Sequence, residues 1–349
     1  MGIFSDDGDD GHTCPTRDLS EQAQDPIFAN MSFQTFNMII SGAAAAFAML
    51  VVLFFKLMHA THFSNPKQQG NIMRVSLLIP VYVLISWISI AAPEAYPYIN
   101  PWIHVVEAWS LCSFFLLLCE YMAPTQRERD AFLARKYIPN KKGAVQGHKW
   151  FEARWILVFQ YPVVSFLVAI FTAITEGAGV YCMFSGSFRF AKFWLHLFSI
   201  ISLVLAMVTM LKIFKHLKPE LAVHNAMMKF IAFKLVIFLT LVQSIVLWIL
   251  EDHTSIMDPS NTMAWVDLHI GIPNMLPCLE MVPLSLFFVY AYPWGPYSKG
   301  RADTDESRND TVQYQGGFLG WRAFFEMFNP SELIHGIIFA FKLLGKRGD

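Results

Sequence analysis

The chain has 349 residues, of which 55% are hydrophobic and 15% charged, with a formal net charge of −1. Soluble domains average about 45–50% apolar and about 25% charged residues, so this composition excludes an ordinary cytosolic enzyme, and the near-zero charge provides no basic field for nucleic acid. The 32 Phe, 11 Tyr and 10 Trp exclude a disordered chain, and the five cysteines lack the paired spacing of a zinc site. We therefore predict an all-α polytopic membrane protein that binds no nucleic acid.

The predicted spanning elements are seven apolar stretches, each near the roughly 20 residues that a helix needs to cross the hydrocarbon core. They cover residues 36–55, 75–92, 102–123, 155–175, 193–211, 230–250 and 266–292. The seventh stretch contains three prolines, which predict a kinked helix. It contains no lysine for a retinal Schiff base, and the chain has no Walker loop, dinucleotide fingerprint or HExxH motif. We expect no cofactor, no metal site and no enzymatic activity.

The segment before the first span, residues 1–31, is acidic, with seven Asp or Glu residues and one Arg among its first 30 residues. It lacks the apolar core of a signal peptide. Asn30 begins a glycosylation sequon, but it lies so close to the first span that the sequon alone does not predict a glycan. Cys14 of this tail and Cys182 of the loop between spans four and five would share the oxidising side of the membrane. They are a candidate disulfide, and two free thiols are the alternative.

Basic residues in the loops predict the orientation of the chain. The loop 124–154 carries eight Lys and Arg residues, whereas the loops between spans two and three and between spans six and seven carry none. The positive-inside rule then places the N-terminus outside or in a lumen and the C-terminus in the cytosol.

The cytosolic end is predicted to have two parts after the seven-helix domain of residues 32–298. Residues 299–316 are polar and read as a linker, whereas residues 317–349 are apolar and amphipathic. Asn329-Pro330 is typical of a helix start, so we predict helices over 317–327 and 331–345. Five apolar residues recur at helical spacing and are expected to face apolar surroundings: Phe318, Trp321, Phe325, Ile337 and Phe341. This face either lies on the bilayer or the underside of the bundle, or docks a cytosolic partner.

Polar residues within spans are costly, and each is by default a candidate for function. The candidates for a substrate or transport pathway are Glu107, Glu120, Lys234, Gln243, His269, Asn274 and Glu280. We expect Lys234 to be neutralised by Glu280 or Glu120, because a lone buried charge is expensive. Such a pair would either latch helices together or form part of a transport pathway, and His104 near the outer boundary is expected to be only hydrated.

Several stretches in order resemble the organic solute transporter alpha-subunit family, which includes the transmembrane-184 group. They are NPKQQGNIMRVSLLIPVYVLISWISI (65–90), VEAWSLCSFFLLLCEYM (106–122), KFIAFKLVIFLTLVQSIVLWIL (229–250) and CLEMVPLSLFFVYAYPWGPY (278–297). NPSEL (329–333) is similar to the family's tail element. The resemblance covers about residues 35–298 and implies these polar landmarks: Gln69, Arg74, Pro80, Glu107, Glu120, Lys234, Gln243 and Glu280.

The resemblance implies a facilitative transporter of amphipathic organic solutes or lipids that works without ATP. Relatives in fungi and plants imply a vacuolar or other endomembrane location, and the plasma membrane is the alternative. The family's vertebrate members work with a single-span accessory subunit and carry a cytosolic cysteine cluster that the loop 124–154 lacks. Expected partners are the lipid bilayer, an amphipathic solute or lipid ligand, a cytosolic protein at the tail, and a small accessory subunit or a second copy.

A second hypothesis remains beside the transporter. Seven helices with an outer N-terminus equally suit a receptor or scaffold that recruits trafficking or autophagy-type partners through its C-terminal helices, because a fold does not fix a function.

Overall fold

The computed structural model describes residues 14, 19, 25–27, 30–123, 125–140, 143–222, 225–253, 257–298 and 313–348. The predicted acidic tail (1–31) and linker (299–316) therefore lie mostly outside the described residues. The α-helices in chain order are α1 Phe33–Thr61, α2 Pro66–Val75, α3 Leu78–Ala91, α4 Tyr96–Ile99, α5 Pro101–Met122, α6 Gln126–Arg135, α7 Gly147–Gly177, α8 Ala191–Leu221, α9 Ala226–His253, α10 Ile272–Ala291, α11 Trp321–Phe328 and α12 Ser331–Gly348. A short antiparallel hairpin pairs β1 Tyr137–Asn140 with β2 Gly143–Gln146.

Seven helical segments of the described chain are long and apolar enough to cross a membrane, which confirms that prediction. They are Phe33–Thr61, Pro66–Ala91, Pro93–Met122, Gly147–Gly177, Ala191–Leu221, Ala226–Leu247 and Asp267–Tyr297. The outer surface of the bundle is apolar as well, with side chains such as Leu50, Phe171 and Phe198 exposed. An apolar belt of this size on a bundle with an apolar interior needs lipid around it. The protein is an integral multi-pass membrane protein.

Local sequence explains where the helices begin and break. The Ser32 hydroxyl accepts a hydrogen bond from the backbone N–H of Thr35 at 3.3 Å and caps α1. The second span divides into α2 and α3 because Pro80 has no N–H to donate to the carbonyl of Ser76. The seventh span begins with a π-helical turn, Asp267–Gly271, just before its first proline. The irregularity expected of this proline-rich helix therefore occurs at its N-terminal end.

The bundle core is built around α5 and α10. Helix α5 packs against α2 and α7, whereas α10 packs against α1, α3 and α9, and α7 also packs against α8. Aromatic rings fill the middle of these contacts: Phe115 lies 5.2 Å from Trp155 and 5.9 Å from Phe159, measured between ring centroids. The aromatic-rich interior holds α5 in a fixed position, and α5 carries the principal buried carboxylate.

The two ends of the bundle differ. At one end a disulfide joins Cys14 to Cys182, in the loop after α7, which confirms the predicted pairing. We call this end the disulfide side. The other end carries α6, the hairpin and α11 and α12, and we call it the tail side.

The tail forms two helices, α11 and α12, as the spacing of apolar residues predicts. Helix α12 starts at residue 331 as predicted, whereas α11 starts at Trp321, four residues after the predicted start, because Gly317, Leu319 and Gly320 have positive φ angles that a helix does not contain. The side chain of Asn329 accepts a hydrogen bond from the backbone N–H of Ser331 at 3.0 Å, as expected of a residue that starts a helix. Helix α11 packs on α2, and α12 packs on α7. Both helices are therefore part of the folded unit rather than a free extension.

Candidate functional site in the bundle interior

Glu107 of α5 is the centre of a hydrogen-bond network inside the bundle, and its side chain is 2% exposed. One carboxylate oxygen accepts a hydrogen bond from the hydroxyl of Tyr82 on α3. The other accepts from the hydroxyl of Tyr161 on α7 at 3.0 Å and faces Nδ1 of His104 at 2.8 Å. Two tyrosine hydroxyls donate to this carboxylate and an imidazole nitrogen lies within hydrogen-bonding distance of it, so both oxygens have partners.

The network extends from α5 to α9 through Tyr82. The hydroxyl of Tyr82 lies 3.3 Å from Oγ1 of Thr240. One helical turn further along α9, Gln243 faces Glu280 of α10. Nε2 of Gln243 and Oε2 of Glu280 are both buried and have no hydrogen-bond partner among the described residues. Buried polar atoms are nearly always satisfied, so these two facing groups either pair with each other through a small movement or bind a ligand or water.

These residues occupy a band of the bundle rather than a single level. At about 1.5 Å of rise per residue, Glu107 lies about 22 Å from the tail-side end of α5, and Thr240 lies about 21 Å from the start of α9. Glu280 lies about 16 Å from the tail-side end of α10 on the same measure. Against a hydrocarbon core about 30 Å thick, Glu280 is near the middle, whereas Glu107 and Thr240 are nearer the disulfide side. We call this band the polar layer; its members are Tyr82, His104, Glu107, Tyr161, Thr240, Gln243 and Glu280.

The structure brings three of the seven predicted pathway residues into this layer: Glu107, Gln243 and Glu280. Asn274 is buried at the disulfide-side end of α10, where its side-chain amide donates to the carbonyl of Ile270 at 2.8 Å. His269 stacks on Trp265 with 4.3 Å between ring centroids, also at the disulfide side. These two residues support the irregular start of the seventh span.

Glu120 and Lys234 do not join the layer. Glu120 lies at the tail-side end of α5, with Oε1 3.9 Å from Nζ of Lys67. The predicted pairing of Lys234 is wrong, because the ion pairs of the described residues do not include it. Its ammonium lies 5.9 Å from the centre of the Phe238 ring. A half-buried lysine near a helix end can place its charge toward the membrane surface along its flexible stem, so no carboxylate is needed.

Sequence reasoning missed four members of the layer. His104 is not merely hydrated, because it is within hydrogen-bonding distance of Glu107; its position three residues before Glu107 on one helix was the available signal. Tyr82, Tyr161 and Thr240 come from three other helices, and only tertiary packing brings them to the carboxylate.

A second polar cluster joins the tail to the bundle. Arg74 at the end of α2 is 3% exposed and forms ion pairs with Glu332 and Glu326. Its guanidinium also donates to the main-chain carbonyl of Glu326 at 2.7 Å and of Met327 at 3.3 Å. These two carbonyls end α11, where helix carbonyls lack partners within the helix. Arg74 therefore holds α11 and the start of α12 against the bundle.

No group of three or more His, Cys, Asp or Glu side chains in the described part of the chain is arranged to hold a metal ion. The polar layer is instead a set of hydroxyl, imidazole, amide and carboxylate groups that can exchange hydrogen bonds. Such a site suits reversible recognition of a polar group within an apolar bundle.

Comparison with known proteins agrees with this architecture. The chain is similar to protein LAZ1 of Arabidopsis thaliana, with 22% identity over 284 residues that make up 74% of this chain and 58% of that protein. It is equally similar, at 22%, to LAZ1 homolog 1 of the same plant, over 77% of this chain and 59% of the relative. A transmembrane protein 184 homolog of Dictyostelium discoideum is 22% identical over 74% of this chain and 52% of its own length.

The chain thus spans less than two thirds of the length of these relatives, and no solved structure matches it. The family model described as organic solute transporter Ostalpha matches residues 37–297, a range that contains every member of the polar layer. The chain therefore belongs to the organic solute transporter Ostalpha family.

Proposed function

We propose that the protein is a facilitative transporter of amphipathic organic solutes or lipids that needs no ATP, and that the polar layer is part of its transport path. The observation that supports this most is the fully buried carboxylate of Glu107, which lies inside the spanning bundle and accepts hydrogen bonds from side chains of α3 and α7. Ionisable groups within spans are costly and mark solute or ion pathways in membrane proteins. Transporter substrate sites commonly lie near the bilayer midplane, which is about the depth of Glu280.

A simple structural latch accounts less well for the layer. A latch needs its hydrogen bonds satisfied, and the Glu107 end of the layer meets that requirement. The Gln243–Glu280 end does not, because one buried atom of each side chain lacks a partner among the described residues. An unfilled donor and acceptor side by side suit a solute with a polar head, while the aromatic interior suits its apolar part.

The orientation and location are part of this proposal. We place the tail side in the cytosol, because the basic loop 124–154 lies there, and the disulfide side outside or in a lumen, where a disulfide persists. A vacuolar or other endomembrane, or the plasma membrane, is the site of action. A small accessory subunit or a second copy is an expected partner.

The test is solute flux through the purified full-length protein in liposomes without ATP. The probe is 8-anilinonaphthalene-1-sulfonate, an amphipathic organic anion whose fluorescence rises when it reaches serum albumin trapped inside. A lipid probe, NBD-labelled lysophosphatidylcholine, is measured in parallel. We expect protein-dependent entry of at least one probe and its loss in Glu107→Gln, which removes the charge that organises three donors.

The matched control is Glu94→Gln, an exposed carboxylate at the disulfide side. It should retain the wild-type flux, and both variants should remain monodisperse in detergent. Flux that is equal in Glu107→Gln and the wild type would contradict the role of the polar layer. If neither probe enters the liposomes and a cytosolic partner still binds the protein through residues 317–349, the result favours the receptor or scaffold hypothesis instead.

A further inference from the structure

The tail helices have an unusual distribution of side chains. A helix on the surface of a soluble protein turns its apolar stripe inward and its polar side outward. Here the outward residues include Phe325 and Phe341, which are 74% and 58% exposed, and Phe318 in the turn before α11 is 82% exposed. Four of the five apolar residues selected from the sequence therefore point away from the bundle, since Trp321 is also exposed, whereas Ile337 packs against the core.

Helix α12 can be divided into three arcs at about 100° per residue. The first arc faces the bundle and carries Gly336, Ala340 and Leu343, all buried. The second is exposed and apolar, with Ile334, Ile338 and Phe341 within about 60° of one another. The third is exposed and polar, with His335, Lys342 and Lys346 within about 40°. A helix in contact with protein, lipid and water at the same time has this three-sided pattern.

Helix α11 repeats the pattern on a shorter scale. Its bundle arc carries the buried residues Ala323 and Met327. Trp321, Phe325 and Phe328 form an exposed apolar arc; Arg322 lies exposed outside it. In both helices the apolar arc and the polar arc are distinct surfaces.

The contacts of α12 define its depth. The indole N–H of Trp155 donates to the carbonyl of Gly336 at 2.9 Å, and the ring of Trp155 lies 5.3 Å from that of Phe339. Trp155 is the first residue of the fourth apolar stretch, and Phe159, one turn deeper, lies directly against Gly336. The middle of α12 is therefore level with the edge of the hydrocarbon core rather than beneath the membrane.

The exposed apolar arc also continues the lipid-facing belt of the bundle. Gly320, just before α11, contacts Ala60 near the end of α1. The outward residues Phe54 and Leu57 lie one to two turns back along α1 and are 51% and 43% exposed. At about 100° per residue, Leu57 lies about 60° round α1 from Ala60, so the exposed apolar side of α1 begins next to the point where the tail meets this helix.

We propose that α11 and α12 are interfacial helices whose apolar arcs are embedded in the tail-side leaflet of the membrane that the bundle spans. Their occupant is bilayer lipid, with the acyl-chain boundary against Phe325 and Phe341 and anionic headgroups near Lys342 and Lys346. Interfacial helices of this kind bury their apolar face about 5–10 Å into the headgroup and acyl boundary. A soluble protein partner would have to reach the level of Phe159 to cover the same surface, which lipid already occupies around α1.

The experiment uses the full-length protein in nanodiscs of phosphatidylcholine and phosphatidylglycerol at about three to one. A spin label is attached to Phe341→Cys, and separately to the adjacent Lys342→Cys as the matched control. Collision with oxygen, which partitions into lipid, is compared with collision with a water-soluble nickel chelate. Background labelling is measured on the unsubstituted chain, whose three free cysteines are buried. Ile338→Cys gives a second apolar site on α12, and Phe325→Cys with Arg322→Cys repeats the comparison on α11.

We expect the oxygen-to-nickel collision ratio to be about tenfold higher at Phe341 than at Lys342. The reason is that Phe341 would lie below the lipid headgroups, whereas Lys342 would lie in water. The same order should hold for Phe325 against Arg322. Equal access of the nickel chelate to all these sites would overturn the proposal, because the helices would lie in water. A label at Phe341 that neither reagent reaches, or that shows spin–spin broadening between two copies in one disc, would overturn it in favour of a protein partner.

Discussion

Replacing Arg74 with Met should release the tail helices while leaving the spanning bundle folded. The side chain of Arg74 is 3% exposed and contacts two carboxylates and two helix-ending carbonyls of the tail. Methionine retains much of the apolar stem but donates no hydrogen bond. Since these tail contacts are formed through one guanidinium, the loss should fall on docking of α11 and α12 rather than on contacts between spans.

The size of the effect follows from the burial of each partner. Removing one member of a fully buried ion pair costs about 3–5 kcal/mol. The carboxylates of Glu326 and Glu332 are 35% and 32% exposed, so water can solvate them after the change. This lowers the expected cost to about 2–3 kcal/mol, or a shift of about 30- to 150-fold in the docking equilibrium.

Hydrogen exchange of the full-length protein in nanodiscs measures this shift. Amides of residues 321–346 should exchange about 30- to 150-fold faster in Arg74→Met, while amides in α5 and α7 keep their protection. Arg322→Met, at an exposed arginine of α11, is the control and should exchange like the wild type. Unchanged protection of the tail in Arg74→Met would refute the reasoning, and so would an equal loss of protection across the whole bundle.

Three further outcomes follow. Tryptic peptides containing Cys14 and Cys182 should remain linked until reduction, and Cys182→Ser should lower the thermal stability of the bundle by about 2–4 kcal/mol; separate peptides without reductant would contradict the disulfide. Gly336→Val should cost about 1–3 kcal/mol in tail docking, because a side chain there overlaps a ring of α7, whereas Gly345→Val meets open space and should exchange hydrogen like the wild type. Lys234→Met should change thermal stability by less than about 1 kcal/mol, since the lysine has an aromatic neighbour rather than an ion pair; a larger loss would indicate a hidden carboxylate partner.

The seven spans and the tail helices were predictable because both depend on local composition. The apolar length of a span is set by the bilayer, and the four-residue spacings of Trp321 and Phe325 and of Ile337 and Phe341 follow the period of a helix. The break between α2 and α3 was not predicted, although Pro80 determines it locally. Hydropathy does not separate two such short helices, because a broken span and a continuous span have the same composition.

The candidate site was only partly predictable. The cost of buried charge identified Glu107 and Glu280, but the same argument gave the wrong partner for Lys234, because a lysine whose stem reaches toward the membrane surface needs no carboxylate. Nothing in the sequence marks Tyr82 and Tyr161 as members of the site, since tyrosine is an ordinary residue within a span. Their role depends on how three helices are rotated about their axes, which no local pattern specifies.

The measurement that tests the central claim most directly is protection of the polar layer by a transported solute. A cysteine at Gln243, in full-length protein reconstituted in liposomes, is treated with a small charged methanethiosulfonate with and without 8-anilinonaphthalene-1-sulfonate. Ser244→Cys, an exposed neighbour on the lipid-facing side of α9, is the control. If the layer lines the path, the reagent modifies Gln243→Cys, the solute slows that modification, and Ser244→Cys is unaffected by the solute. Modification of Gln243→Cys at the same rate with and without the solute, or none at all, would contradict a transport path through this layer.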